Sequence, residues 1–230
     1  MTQNEAEFDQ FADSYRDCVN STLALSGEDH DYFARGRVEW LKRIFAGETS
    51  IRRVMDYGCG VGLDTPHLLT LPGVDFLIGV DVSEKSLEHA RATFGSEQVR
   101  FASFAEYNPA AEIDLAVCVS VFHHISLENR ADAVQYIYNS LRPGGWLALW
   151  EHNPWNPGVV YIMKHSPIDQ DAIPVKPHRA RRMLRQGGFS VLRTDYLFVF
   201  PRFLKSLRGL EPLLSHWPLG AQFLVLCRKE

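Results

Sequence analysis

No stretch of this chain stays apolar for the roughly eighteen residues that a membrane helix requires, so a helix-spanning membrane protein is not expected. The opening Met1-Thr2-Gln3-Asn4-Glu5 lacks the basic and apolar segments of a secretory signal, and the expectation is a cytoplasmic protein without stable membrane association. Cysteine is scarce. The four present, at 18, 59, 118 and 227, show no metal-ligand pair spacing and read as reduced packing residues; for Cys59 small volume is the preferred reason and reactivity when nothing covers it the alternative. A dominant charge is missing too: 24 basic against 28 acidic residues leave a net charge of -4, a field too weak to gather nucleic acid. Internal repeats, low-complexity tracts and linkers are lacking, and 230 residues suit a single α/β domain spanning 1–230 with a large core.

What the chain does have is a glycine turn behind an apolar strand. Ile51 to Tyr57 mixes apolar and β-branched residues as a buried parallel strand does, Gly58, Gly60 and Gly62 follow, and a helix is expected from Asp64 to Leu71. Glycines there permit positive φ and remove the Cβ between backbone and ligand. A second unit, Phe76 to Asp81, ends in a carboxylate nineteen positions after Gly62. Asp81 is then placed at a neighbouring strand tip, where it can accept both hydroxyls of a ribose. A dinucleotide fold reads similarly to this point, but its pyrophosphate cradle needs a different glycine spacing, and Asp56 would repel a pyrophosphate. Asp56 suits the ammonium of an amino acid.

Further strands are expected near Val99 to Ala102, at Ile113 to Val119, Trp146 to Glu151, Phe189 to Phe200 and Gln222 to Cys227. Helices are expected at about Tyr32 to Phe45, Glu84 to Phe94, Leu127 to Leu141, and from Pro177 to Gly187-Gly188. Arg142-Pro143-Gly144-Gly145 reads as a turn.

In this order the motifs resemble those of the class I S-adenosylmethionine-dependent methyltransferases. Asp56 to Gly62 looks like the first motif of that family and Val80-Asp81-Val82-Ser83 like its second. Cys118 to Ile125 and Leu141 to Gly145 resemble its later signatures, and Phe8-Asp9-x-Phe11-Ala12-x-x-Tyr15 is similar to the opening helix of its quinone-biosynthesis branch. The resemblance implies a doubly wound, seven-stranded, mostly parallel Rossmann-like sheet with an antiparallel carboxyl-terminal edge pair and an amino-terminal helical lid over 1–47. It implies S-adenosyl-L-methionine as cofactor, with Asp56, Gly58, Cys59, Gly60, Asp81, Val82, Phe104, Ala105 and Val119 around it. Phe104 stands where relatives carry an acidic adenine ligand; stacking on adenine, a reach by Glu106, or plain packing are the open readings.

The expected reaction is methyl transfer to a small, partly apolar acceptor, at oxygen by preference, with nitrogen or carbon methylation and a non-catalytic cofactor-binding subunit as alternatives. In-line displacement at a sulfonium needs positioning and a modest base, so no metal is expected. His152 and His123 are the base candidates, a packed imidazole being the other reading of His123. The segment 152–175 is expected to be the acceptor loop, since prolines fix its path and Asn153, Trp155 and Tyr161 offer polar and flat apolar surface. Tyr15 is a lid candidate. The apolar, basic run from Phe198 to Arg208 is expected to roof the pocket or cover the sheet. A homodimer and a partner subunit are both compatible with the sequence.

Overall fold

The computed structural model describes residues 9, 15–23, 26–47, 51–166, 168–169 and 171–230. One sheet holds β1 (Arg53–Tyr57), β2 (Phe76–Asp81), β3 (Val99–Ser103), β4 (Ile113–Val119), β5 (Leu141–His152), β6 (Phe189–Leu197) and β7 (Gln222–Lys229). Their order is β3-β2-β1-β4-β5-β7-β6; β7 runs antiparallel to both of its neighbours, which gives the expected carboxyl-terminal pair. Helices are α1 (Tyr15–Leu23), α2 (His30–Ile44), α3 (Thr65–Leu68), α4 (Glu84–Phe94), α5 (Arg130–Ser140), α6 (Pro157–His165), α7 (Pro177–Gln186) and α8 (Glu211–Leu214), with a 3-10 helix at Arg202–Leu210. Among the described residues no helix is long and apolar enough to cross a membrane.

The central strands are apolar throughout because helices cover both faces of the sheet. Successive side chains alternate between faces, so Val54, Leu77, Leu115 and Trp150 enter one core, while Met55, Ile78, Ala116 and Leu149 enter the other. Several boundaries shift for local reasons. Asp29 accepts from the Tyr32 amide at 3.0 Å and starts α2 at His30, ahead of the expected Tyr32. Turns at Val121–Ile125 and Ser126–Asn129 delay α5 to Arg130. The expected turn at Arg142 to Gly145 lies inside β5, where the register with β4 shifts between Ile113 and Leu115, so it acts as an irregularity in a longer strand.

Gly36 sits inside α2 although glycine costs a helix about 1 kcal/mol relative to alanine. A Cβ there would stand 2.5 Å from Cε1 of Phe198, so the glycine admits that ring against the helix. Phe198 also meets Phe33 with ring centres 4.9 Å apart. The 198–208 segment also packs through Arg208, whose guanidinium lies 4.4 Å over the Tyr32 ring and pairs with Glu28 at 2.8 Å, while Phe203 is 81% exposed.

Candidate cofactor and acceptor site

The glycine turn is tied to β2 by hydrogen bonds. Gly58 and Cys59 amides donate to the Val80 carbonyl at 2.8 and 3.1 Å. The Gly60 amide donates to Asp81 Oδ2 at 2.8 Å and the Ser83 amide to Asp81 Oδ1 at 2.9 Å. Asp81, expected as a ribose ligand, therefore also fastens the glycine turn. Burial raises its carboxyl pKa, with the Ser83, Gly60 and Val82 amides opposing. Ser83 caps α4 by accepting from the Ser86 amide at 3.1 Å.

Gly58 has φ +75, and a Cβ on it would come within 2.4 Å of Val121 Cγ2. Gly58→Ala combines a left-handed backbone, costing about 1–2 kcal/mol, with overpacking of about 1–3 kcal/mol. The expected loss of unfolding free energy is thus about 2–5 kcal/mol. A wild-type midpoint in urea denaturation of this variant would contradict the account.

Two adjoining cavities open at the carboxyl ends of β1, β2 and β4. The larger, about 590 Å³, is walled by Tyr57, Gly58, Gly60, Asp81, Val82, Phe104, Val119 and Tyr136. The smaller, about 140 Å³, is walled by Arg37, Asp56, Cys59, Asp64, His123, His152 and Asp169, with Leu23, Phe33, Ile162 and Ile168 as its apolar side. Gly58, Val119, Ser120 and His124 belong to both walls. Ser120 holds φ +56 and donates its amide to the Trp150 carbonyl at 2.8 Å, so the chain leaves β4 through a backbone conformation that costs energy and recurs at functional sites.

These walls fit a nucleoside joined to an amino acid. Asp81 and the aromatic surface of Tyr57, Phe104 and Tyr136 face the larger cavity. Asp56, 3% exposed, accepts no hydrogen bond from the described residues and lies toward the smaller one. Burial, then the nearby Asp64 charge and more weakly Asp81, push the Asp56 carboxyl well up, while Arg37 opposes them. An ammonium placed beside it would supply the missing cation. Arg37, which sequence reasoning missed, is 4% exposed and donates to both Asp64 oxygens at 2.9 and 3.1 Å and to Gln222 Oε1 at 3.3 Å.

Behind the smaller cavity is a buried charge relay, also unforeseen. His123 Nδ1 meets Glu151 Oε2 at 2.7 Å, its Nε2 meets Asp169 Oδ1 at 3.3 Å, and Glu151 Oε1 accepts from the Phe122 amide at 2.7 Å. Burial works against a proton on His123, but Glu151 and Asp169 outweigh it and hold the imidazolium up to about 9. His152 is driven the other way, to about 4, by burial and then by the His123 charge. Burial and His123 likewise take His124 down to about 3. At neutral pH His123 is thus already protonated, and His152 keeps a free lone pair.

A raised folded-state pKa means that the stability from His123 is fully present below the unfolded value of about 6.5 and is lost as pH climbs through about 9. The loss should be on the order of 3 kcal/mol. Thermal melting between pH 6.5 and 9 should show the midpoint falling, and Glu151→Gln should flatten that slope. An unchanged slope in the variant would show that Glu151 does not hold the proton.

The other expected site residues are placed as follows. Asp56, Gly58, Cys59, Gly60, Asp81, Val82, Phe104, Val119, His123 and His152 all reach the cavity walls. Ala105 lies exposed in the turn after β3, outside those walls, and Glu106 turns back to the Ser103 amide at 2.9 Å. Cys59 is 8% exposed, and burial, then the Asp81 and Asp56 carboxylates, raise its thiol pKa well above normal, which fits the packing reading and not the reactive alternative. Asn153 is fully buried and donates to the Pro218 and Gly220 carbonyls at 3.1 and 2.8 Å, so it clamps its loop and does not meet the cavity. Trp155 and Tyr161 are 46% and 54% exposed and off the wall: α6 turns Ile162 inward and Tyr161 outward, and Trp155, ahead of α6, lies nearly parallel to the His178 ring with centres 6.5 Å apart. Tyr15 opens α1, but its side chain lies outside the described residues, as do Phe8, Phe11 and Ala12. Of the lid, Val19, Thr22 and Leu23 of α1 and His30, Phe33 and Arg37 of α2 line the smaller cavity. The run from Phe198 to Arg208 contributes nothing to either wall, so it does not roof the pocket.

Sheet order, glycine turn and strand-tip carboxylate together define an α/β protein built to bind a nucleoside cofactor. A family model described as a methyltransferase domain matches residues 55–147. The ubiquinone biosynthesis O-methyltransferase of Bordetella avium (strain 197N) is 28% identical over 172 residues, which cover 66% of this chain and 67% of that protein. The trans-aconitate 2-methyltransferase of Rhizobium rhizogenes (strain K84 / ATCC BAA-868) is 32% identical over 101 residues, covering 44% of this chain and 39% of that protein. The chain thus spans two thirds or less of the lengths of these two relatives. The crystal structure of a TehB-like SAM-dependent methyltransferase from Corynebacterium glutamicum ATCC 13032 Kitasato superposes with a TM-score of 0.62 at 17% identity, covering 98% of each chain. These similarities support a class I S-adenosylmethionine-dependent methyltransferase, with S-adenosyl-L-methionine as the cofactor they imply.

Proposed function

We propose that this protein methylates an oxygen of a small, partly apolar, uncharged acceptor held in the smaller cavity. The observation that carries the reading is the wall of that cavity: Leu23, Phe33, Ile162 and Ile168 on one side, and His123, His152 and Asp169 on the other. The cofactor supplies an electrophilic methyl on a sulfonium. Asp56 is placed for its ammonium, Asp81 for its ribose hydroxyls, and Phe104 with Tyr57 and Tyr136 for the flat adenine. His152, neutral at physiological pH, faces the acceptor and can take its proton or orient its oxygen, while Glu151 fixes the His123 ring beside it.

Charge narrows the acceptor. With Asp56 given to the cofactor's ammonium, Asp64, Asp169 and the Glu151 behind them still outnumber Arg37 and the His123 imidazolium, so a carboxylate acceptor would meet net repulsion. This favours a phenol or alcohol over a substrate of the aconitate kind. Labelled cofactor offered with a panel of phenols, alcohols, amines and carboxylates should mark the hydroxyl compounds. Label on amines or carboxylates alone would overturn O-methylation, and tight cofactor binding without transfer to any of them, or to a cell extract, would favour the partner-subunit reading.

A further inference from the structure

His123, His152 and Asp169 each bring a ligating atom into a group spanning no more than 4.8 Å. They arrive from the turn after β4, the end of β5 and the turn after α6, and the two turns are joined where the Ile173 amide donates to the His123 carbonyl at 2.7 Å. His123 is the fixed member. Its Nδ1 is engaged by Glu151, itself held by the Phe122 amide, so its Nε2 is aimed at Asp169 Oδ1, 3.3 Å away. A carboxylate behind the imidazole is the arrangement that orients histidines bound to metal. Two ligands at about 2.1 Å from a tetrahedral ion stand about 3.4 Å apart, so this pair already has the separation of neighbouring ligands. His124 Nε2 lies 3.6 Å from the same Asp169 oxygen.

Two further observations point the same way. Glu151 is fully buried and the Asp169 side chain is 10% exposed, yet one imidazolium is shared between the two carboxylates. A divalent cation replacing the His123 Nε2 proton would bring this buried group to neutrality. A structural Glu-His-Asp chain explains His123 but not His152, whose ring makes no hydrogen bond among the described residues and faces the cavity beside it, with ring centres 5.2 Å apart.

We propose that His123 Nε2, His152 and Asp169 form a binding site for a divalent first-row transition cation, with its remaining positions open to the smaller cavity. Two imidazoles and one carboxylate suit zinc, cobalt, iron or manganese better than magnesium or calcium, which prefer oxygen. A cation there would bind an acceptor oxygen and acidify its hydroxyl. That role rests on the O-methylation reading; metal binding itself does not.

The test uses the full chain, stripped with a chelator and titrated with Co2+ while visible absorbance is read. One equivalent should produce saturable d–d bands that Zn2+ abolishes and an equal concentration of Mg2+ does not. His152→Ala and Asp169→Asn should each weaken Co2+ binding at least tenfold, and Glu151→Gln by about 10–100-fold. His165→Ala, on the exposed side of α6, should leave binding unchanged. Circular dichroism and cofactor calorimetry check that each variant is folded. Absence of a saturable signal in the wild-type protein overturns the site without recourse to any variant. Equal affinity in wild type and the three folded ligand-set variants also overturns it. Methyl transfer is not the readout, so a negative result here leaves the proposed reaction standing.

Discussion

His152→Ala should leave S-adenosyl-L-methionine affinity nearly unchanged while lowering turnover by a factor on the order of 100 to 10,000, the range for a positioned proton-transfer group. The expectation follows from its place at the last position of β5 on the wall of the smaller cavity, away from the Asp81 end where the ribose would lie. His123 is a weak substitute because Glu151 and Asp169 keep it protonated. The two roles open to His152 give the same fall in rate and differ in a second reading. As a base it should impose an acidic limb near its lowered pKa of about 4, and the variant should lose that limb. As a cation ligand it should yield a rate that depends on added Zn2+ or Co2+. Normal turnover at saturating acceptor, with the wild-type pH profile, would reduce His152 to part of the wall.

The second large effect concerns Asp81. Stripping a charged acceptor from two ribose hydroxyls costs about 1.5–3 kcal/mol for a hydrogen bond to a charged group, so cofactor affinity should fall roughly tenfold to more than a hundredfold. Because Asp81 also receives the Gly60 and Ser83 amides, alanine would loosen the glycine turn as well. Asp81→Asn keeps the shape and removes the charge; it should lose less than Asp81→Ala but still bind clearly more weakly than wild type. Calorimetry showing wild-type affinity in both folded variants would displace the ribose from this strand tip.

The parts of the molecule legible in the sequence are those in which short stretches carry their own geometry. A strand, three spaced glycines and an acidic strand tip are local features, so β1, β2 and the turn between β1 and α3 could be read residue by residue. The charge relay could not. Glu151 reaches His123 across 28 positions from β5 and Asp169 across 46 from a turn, and their meeting depends on the finished sheet. Arg37 and Asp64, 27 apart, met the same barrier, since a helical arginine reads as solvated until its neighbours are known. The acceptor loop was misread for another reason. Its aromatic residues suggested a flat wall, but helical phase, which turns Ile162 inward and Tyr161 outward, decides which side chain is offered.

Helix α2 is riveted at three places within little more than one turn: the Phe198 ring lies against Gly36, Arg37 grips Asp64 and Gln222, and Trp40 Nε1 donates to Asp195 Oδ2 at 2.9 Å. Those partners sit on β6, β7 and their surroundings as well as beside the glycine turn, so the helix is fixed to both halves of the sheet. An opening made by swinging α2 away would have to break all three anchorages together, two of them buried and polar. Swinging α2 aside is therefore a costly way to admit an acceptor, and the face of the smaller cavity that α2 forms through His30, Phe33 and Arg37 acts as a fixed wall.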